Sequence, residues 1–310
     1  MLTNEKLTEL LTGEINAKEK DTVTREQIEA FLEGYSGKDY LVSSEELVEK
    51  VKRDGIRKPM TSGIEDLDEI IGGFYEEQVI VLSARPKSGK TSFALHLIDL
   101  MKEREPLFLP LEQSALELIE QRVERDQPIP HFFAPESLDG IDRTVEWVHL
   151  KILESQFKTK ENPTKFVVID HFGYLMLAKS SDQATWQIIN AMQNLKQIAK
   201  QTKTAIVLIV HTTKGDQTTP PTTEDLFGSA GFHQEADTVL SLWRETYKED
   251  GQQKQTNNVL LQVLANRRKG TSGAVKFKYV DGAFIECQWQ SKEDETKQNK
   301  KSADELFKNF

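Results

Sequence analysis

Hydrophobic and polar positions divide the chain into four stretches of different character. Residues 1–42 show two short amphipathic patterns around a charged turn, which predict a small helical appendage. Residues 43–60 predict one helix and a linker that contains glycine and proline. Residues 61–290 alternate short apolar runs with longer amphipathic ones, which is typical of an α/β domain. Residues 291–310 are highly charged and predict a flexible tail.

The alternation within the long domain predicts a mostly parallel sheet, because helices connect its successive strands. The apolar runs predict strands over 79–83, 107–111, 165–170 and 204–210. The amphipathic runs predict helices over 90–104, 114–125, 143–157 and 182–201. Further along, strands with short turns are predicted over 237–243, 258–265, 273–280 and 283–289. Short turns join antiparallel strands, so these strands predict an antiparallel flank on the same sheet.

The linker helix has a clear start signal. Ser43 can cap it, and Glu46 stands three residues later, where a capping box requires a glutamate. The pattern predicts a helix that ends near Arg53.

Composition restricts where the protein can act. Of the 310 residues, 37% are hydrophobic and 29% are charged, which predicts a globular chain with one large core. No apolar run reaches the roughly 18 residues of a membrane span, and the first residues lack the layout of a signal peptide. The single cysteine, Cys287, excludes an internal disulfide. We expect a cytoplasmic protein without membrane contact.

Charge argues against nonspecific nucleic-acid binding by the whole surface. The formal net charge is −10, so any contact with DNA must come from local basic loops.

One strand–loop–helix unit carries the strongest chemical signal. The strand ends at Ala84, and the loop that follows leads into Ser88-Gly89-Lys90-Thr91 at the start of a helix. A loop of this kind directs backbone N–H groups and a helix N-terminus at a phosphate. The predicted nucleotide-binding residues are Arg85, Pro86, Lys87, Ser88, Gly89, Lys90, Thr91 and Ser92. The pattern departs from the usual P-loop because Ala84 replaces the first glycine. The alternative to a nucleotide-binding loop is a turn between strand and helix that binds nothing.

Three further strand ends supply candidate catalytic groups. Asp170 follows an apolar strand and is predicted, with the Thr91 hydroxyl, to hold Mg²⁺; the alternative is an ordinary turn-capping aspartate. Glu112 is the predicted general base, unless it caps the helix that starts near Ser114. His211 is a predicted sensor of the γ-phosphate, unless the backbone satisfies its ring.

These residues resemble those of the DnaB-type replicative helicases of bacteria and phages, which are RecA-like ring ATPases. The similarity covers about residues 55–288. It includes Thr61–Gly73, the P-loop variant with Ala84 in place of glycine, Leu111-Glu112, Val167–Asp170, His211, Asp225–Asp237 and Asn266–Gly273. The resemblance implies a RecA-like P-loop NTPase fold that binds ATP and Mg²⁺.

The resemblance also implies a ring, usually a hexamer, with ATP between neighbouring subunits. By position, Arg268 is then the arginine finger that reaches the neighbour's γ-phosphate, although Asn266 stands where the family often has lysine. A surface turn without a role is the alternative for Arg268. The loops 171–184, with Lys179, and 212–224, with Lys214, would contact single-stranded DNA.

Partners follow from the same resemblance. The stretch before the core is too short for the family's usual collar and no primase domain is present. We therefore expect a loader or a separate primase, or else a protein that is not the main replicative helicase. The apolar tip formed by Leu306, Phe307 and Phe310 is a hypothetical docking segment for a polymerase or sliding clamp, with a frayed tail as the alternative.

The leading functional prediction is an ATP-dependent DNA helicase that acts in replication. Two alternatives stay open: a RecA-like recombination ATPase that forms filaments, and a KaiC-like regulatory ATPase that needs no DNA.

Overall fold

The computed structural model describes residues 41–175, 181–212, 219–222, 225, 229–249 and 252–289. The chain divides into two units, Met1–Arg57 and Lys58–Phe310. The predicted tail, and the predicted appendage up to residue 40, lie outside the described residues, so both stay predictions.

The described part of the first unit contains one capped helix, α1 (Ser44–Asp54). The Ser43 hydroxyl accepts from the Glu46 backbone N–H, and the Glu46 carboxylate accepts from the Ser43 N–H. Two otherwise unpaired donors are satisfied in this way. The predicted capping box is therefore confirmed.

The second unit is an α/β domain. Its helices are α2 (Glu65–Ile71), α3 (Lys90–Leu100), α4 (Ala115–Glu124), α5 (Val145–Lys158), α6 (Ser181–Thr202) and α7 (Ser229–Glu235). Its strands are β1 (Val79–Ala84), β2 (Leu107–Pro110), β3 (Phe166–Asp170), β4 (Ala205–His211), β5 (Thr238–Glu249), β6 (Gln252–Asn266), β7 (Gly273–Val280) and β8 (Ala283–Glu286). None of the helices in the described ranges has both the length and the apolar character needed to cross a bilayer.

The eight strands form one mixed sheet in the order β2-β3-β4-β1-β5-β6-β7-β8. The five strands from β2 to β5 pair in parallel, and β5 to β8 pair antiparallel. The predicted fold class, a mostly parallel sheet with an antiparallel C-terminal flank, is confirmed.

Apolar side chains on both faces of the sheet give the domain three layers. In β1, Val79 and Val81 pack in the cluster that contains α5, α6 and α7. Ile80 and Leu82 pack in the opposite cluster, with α2, α3 and α4. Successive side chains of a strand point to opposite faces, so a fully apolar strand lies between two helical layers.

Some helices and strands of the structure were not predicted or have other ends than predicted. Helices α2 and α7 were not predicted, because each has only seven residues and shows little periodicity. Helix α3 ends at Leu100, and a 3₁₀ turn follows at Lys102–Arg104. Strand β6 begins at Gln252 rather than at 258, because its polar first residues pair with β5 through the backbone while staying largely exposed.

Parallel pairing brings the ends of β1, β3 and β4 to one edge of the sheet. Ala84 lies opposite His211, and Pro110 of β2 lies opposite Asp170. Ligands of parallel α/β sheets bind outside the carboxyl ends of the strands, so this edge is where a site is expected.

Candidate active site

The loop between β1 and α3 has the shape that a phosphate site requires. Gly89 caps α3 with φ 89°, in the left-handed region that glycine adopts without strain. Lys87 also has a positive φ of 64°. The eleven-residue helix α3 then directs its free N–H groups and the positive end of its dipole into the loop.

Among the predicted nucleotide-binding residues, the side chains differ in exposure. Pro86 and Lys87 are exposed, Arg85 and Ser88 are buried, and Gly89, Thr91 and Ser92 are half-buried. The Arg85 guanidinium donates to the Thr219 carbonyl at 2.8 Å, which ties the loop to the segment after β4.

Lys90 is a buried cation, with only 7% of its surface exposed. Burial lowers the pKa of its ammonium, and the negative charges of Asp170 and Glu112 oppose that effect. A buried ammonium at a helix N-terminus is suited to an anionic ligand, because the ligand would add negative charge beside the buried cation.

Thr91 and Asp170 form the predicted metal-binding pair. The Thr91 hydroxyl donates to Asp170 Oδ2 at 2.6 Å. Asp170 is 3% exposed, and its Oδ1 is buried with no hydrogen-bond partner among the described residues. Burial raises the pKa of this carboxyl, while the Thr91 hydrogen bond and Lys90 lower it. A hydroxyl and an unsatisfied carboxylate oxygen side by side fit the oxygen-ligand preference of Mg²⁺.

Glu112 lies beside this pair because β2 and β3 continue to pair past their ends. The backbone N–H groups of Leu111 and Glu112 donate to the Asp170 carbonyl at 2.5 and 3.3 Å. Ser114, rather than Glu112, caps α4 through a capping box with Glu117. The Glu112 side chain is 48% exposed, so it is open to the solvent of the cleft.

His211 lies at the end of β4 and is partly buried. Its Nδ1 is buried without a partner in the described part of the chain, so the alternative of a backbone-satisfied ring does not hold for that atom. Burial and the charge of Lys90 lower the pKa of His211. The ring lies edge-on to that of His171, with 4.3 Å between centroids.

His171 belongs to the same cluster, and sequence reasoning missed it as a functional residue. Its Nε2 lies 3.7 Å from Glu112 Oε2. Burial, with a smaller contribution from His211, lowers its pKa to about 4, so the ring is neutral at physiological pH. The signal available in the sequence was its position directly after Asp170 at a strand end.

A cleft of about 380 Å³ opens from the loop. Its lining includes Lys90, Thr91, Glu112, Arg125 and Gln127. Ligand pockets have volumes of roughly 300–1,000 Å³, so the cleft is large enough for a small ligand.

The structure does not bring Arg268 to this cleft. Asn266 pairs with Thr238 at the start of β5, which places Arg268 at the amino edge of the parallel strands. Its guanidinium stacks 3.7 Å above the Tyr75 ring, just before β1 begins. The length of β1, roughly 17 Å at strand rise, separates that edge from the P-loop. Lys179 and Lys214 lie outside the described residues.

Comparisons with known proteins bear on the family and the fold of the chain. The model of the "DnaB-like helicase C terminal domain" matches residues 59–132 and 140–284. The replicative DNA helicase DnaB of Haemophilus influenzae is 25% identical over 264 residues, 73% of this chain and 54% of the relative. The replicative DNA helicase DnaC of Bacillus subtilis is 23% identical over 275 residues, 78% of this chain and 60% of the relative. The chain thus spans little more than half of these curated relatives.

Solved structures show the same fold. The ATPase domain of a phage protein superposes with a TM-score of 0.64 at 21% identity, over 80% of this chain and all of that one. A DnaB-like replicative helicase, described together with its interactions with primase, gives a TM-score of 0.61 at 21% identity, over 85% of this chain and 71% of that one. Since the family model covers most of the sequence and includes every residue of the cleft discussed above, this chain belongs to the family of DnaB-like helicase C-terminal domains.

Proposed function

We propose that this chain is the motor subunit of a ring, usually a hexamer, that hydrolyses ATP between its subunits to move along single-stranded DNA in replication. The observation that carries the proposal is the convergence of Lys90, Thr91 and Asp170 with Glu112 at one edge of the sheet. Three chemical roles of a nucleotide hydrolase are available there: phosphate binding, metal binding and general-base catalysis.

The residues present fit ATP and Mg²⁺. Lys90 and the N–H groups at the start of α3 would hold the phosphates, and Thr91 and Asp170 would hold the metal. The unsatisfied Oδ1 of buried Asp170 supports this assignment, because a buried carboxylate oxygen needs a partner. Bound Mg²⁺ supplies positive charge that offsets the charge developing on the phosphate oxygens.

Glu112 is the proposed general base. Its carboxylate is half exposed in the cleft, so it can accept a proton from an attacking water. His211 is the proposed γ-phosphate sensor. Its unpartnered Nδ1 supports that role, and β4 connects it directly to the loop proposed to contact DNA.

Arg268 is proposed to act on the neighbouring subunit's ATP. Its place at the opposite edge of the sheet supports action between subunits, because the residue is too far from its own P-loop to contact a nucleotide there. An arginine supplied in this way stabilises charge in the transition state.

Mixed rings test the interface directly. Glu112→Gln removes the base but leaves Arg268, and Arg268→Ala removes the finger but leaves the base. If the site lies between subunits, each variant alone is inactive while a mixture recovers part of the hydrolysis, because some interfaces combine an intact base with an intact finger. A mixture as inactive as its two components would contradict the shared site.

A regulatory ATPase is the second candidate, and the net charge of −10 favours it, because an acidic surface does not attract DNA. The motor proposal therefore depends on local contacts with DNA. These contacts are proposed at Lys179 in the loop 171–184 and at Lys214 in the loop 212–224. Replacing both lysines with glutamine should weaken binding to single-stranded DNA and leave DNA-independent hydrolysis unchanged. Unaltered DNA binding would remove these loops from the proposal.

The protein partners of this chain are also part of the proposal. The DnaB-like relative described with primase supports a primase as a partner of this chain. The C-terminal tip remains a hypothetical segment for a loader, polymerase or clamp.

A further inference from the structure

His171 lies between the proposed base and the proposed phosphate sensor. Its Nε2 faces Glu112 Oε2 at 3.7 Å, and its ring contacts that of His211. Glu112, His171 and His211 each offer one ligand atom within 4.8 Å of the others. The cluster can therefore be either a site for a transition metal or a set of hydrogen-bonding groups around the base.

The tautomer of His171 decides between these two interpretations. The Gly173 backbone N–H donates to His171 Nδ1 at 3.0 Å. A backbone N–H is always a donor, so Nδ1 accepts and carries no proton. The proton of the neutral ring is then on Nε2, which leaves that nitrogen no lone pair for a metal. The group that faces Glu112 is therefore an N–H donor.

We propose that His171 is a positioning residue that holds the Glu112 carboxylate in place through its Nε2–H. The inference rests on the proposed function, because it requires Glu112 to act as the base. The present 3.7 Å exceeds a hydrogen bond. Catalytic hydrogen bonds are often long without ligand and shorten when the substrate binds.

The surroundings of His171 hold its ring in the required orientation. The Gly173 bond restrains Nδ1, and His211 packs edge-on at an interplanar angle of 78°. Tyr174 packs on the ring as well, with 4.9 Å between centroids. A displacement of His211 on γ-phosphate loss would move the ring that holds the base, which couples the sensor to the catalytic group.

Two substitutions of His171 distinguish the role of its Nε2–H donor from that of its hydrogen bond with the Gly173 N–H. In His171→Asn, the amide oxygen can still accept from the Gly173 N–H, but no donor reaches Glu112. In His171→Gln, the longer side chain can bring an amide N–H near the position of Nε2. We expect His171→Asn to lower kcat for ATP hydrolysis by about 10- to 100-fold with KM unchanged, since a displaced catalytic group costs up to roughly that factor. His171→Gln should recover part of the loss.

A double-mutant cycle tests whether His171 acts through the Glu112 carboxylate. Glu112→Asp keeps a carboxylate but withdraws it from His171, so His171→Asn should cost much less in that background than in the wild type. Equal costs in both backgrounds would overturn the inference. Melting temperatures are compared first, and if His171→Asn does not fold, His171→Ala takes its place in the cycle.

The remaining outcomes distinguish this inference from the proposed function. Normal kcat in His171→Asn, with Glu112→Gln inactive, would refute the positioning role and leave the proposed function intact. Full activity in Glu112→Gln would remove the base and the inference together. Stoichiometric Zn²⁺ binding by calorimetry to the nucleotide-free protein, lost in His171→Asn, would show that Nε2 is a ligand and would overturn the tautomer argument.

Discussion

Replacing Thr91 with valine should destabilise the ligand-free protein, because it removes the one hydrogen bond that the buried Asp170 carboxylate accepts from the described residues. Thr91 donates to Asp170 Oδ2 at 2.6 Å, and Asp170 Oδ1 is buried without a partner. Hydrogen bonds to charged groups contribute about 1.5–3 kcal/mol. For a domain of this size each kcal/mol moves Tm by roughly 2–4 °C, so the expected decrease is about 3–12 °C.

The pH dependence of this effect has a definite sign. Burial raises the pKa of Asp170 above its unfolded value, so the ionised carboxylate costs stability above the folded pKa, and acid relieves that cost. Valine removes a hydrogen bond that opposes this shift, so the folded pKa rises further. The deficit relative to the wild type should be complete above the two folded pKa values of Asp170 and should shrink as the pH falls through them.

Calorimetric melting in EDTA, at neutral and at mildly acidic pH, measures both effects. Thr91→Ser is the matched control, because it keeps the hydroxyl and should stay close to the wild type. Equal Tm values for Thr91→Val and Thr91→Ser, or a deficit that does not change with pH, would refute the assignment of Thr91 as the partner of a buried, ionised Asp170.

Three further predictions concern the loop and the core. Lys90→Met should abolish stabilisation by Mg-ATP, which in the wild type amounts to about 2.7 kcal/mol at a ligand concentration of 100 times Kd and is measured by thermal shift. Gly73→Ala should destabilise the protein by more than about 1 kcal/mol in denaturant melts. At a φ of 83° its new Cβ would lie 2.8 Å from the Met60 carbonyl, whereas Gly140→Ala has nothing within 4 Å and should cost less. Phe93→Ala should cost about 3–5 kcal/mol, because Phe93 is fully buried; an unchanged urea midpoint would contradict its place in the core.

Much of the fold and the placement of the site residues could be predicted from the sequence, because the patterns that predict them are formed by residues close together in the chain. The P-loop residues are contiguous, and Asp170 and His211 each end an apolar strand. Parallel strands bring their carboxyl ends to one edge, so strand-end polar residues meet there whatever the sequence separation. The roles of these residues in hydrolysis stay predictions.

Other features depend on contacts that no local pattern contains. The proposed role of His171 is argued from the Gly173 N–H, which fixes its tautomer, and from the packing of His211. The polar start of β6 forms a strand through backbone pairing with β5, without an apolar face to signal it. The short helix α7 packs its Phe232 against Phe172, a contact that only the folded chain creates.

Steady-state ATP hydrolysis with and without single-stranded DNA, at low and moderate salt, tests the central claim most directly. Glu112→Gln serves as the control for contaminating activity. The account predicts hydrolysis that DNA stimulates strongly and that the Glu112→Gln variant loses in both conditions. Hydrolysis by the wild type that is indifferent to DNA would contradict the motor proposal and favour a regulatory ATPase, and hydrolysis retained by Glu112→Gln would contradict the assignment of the base.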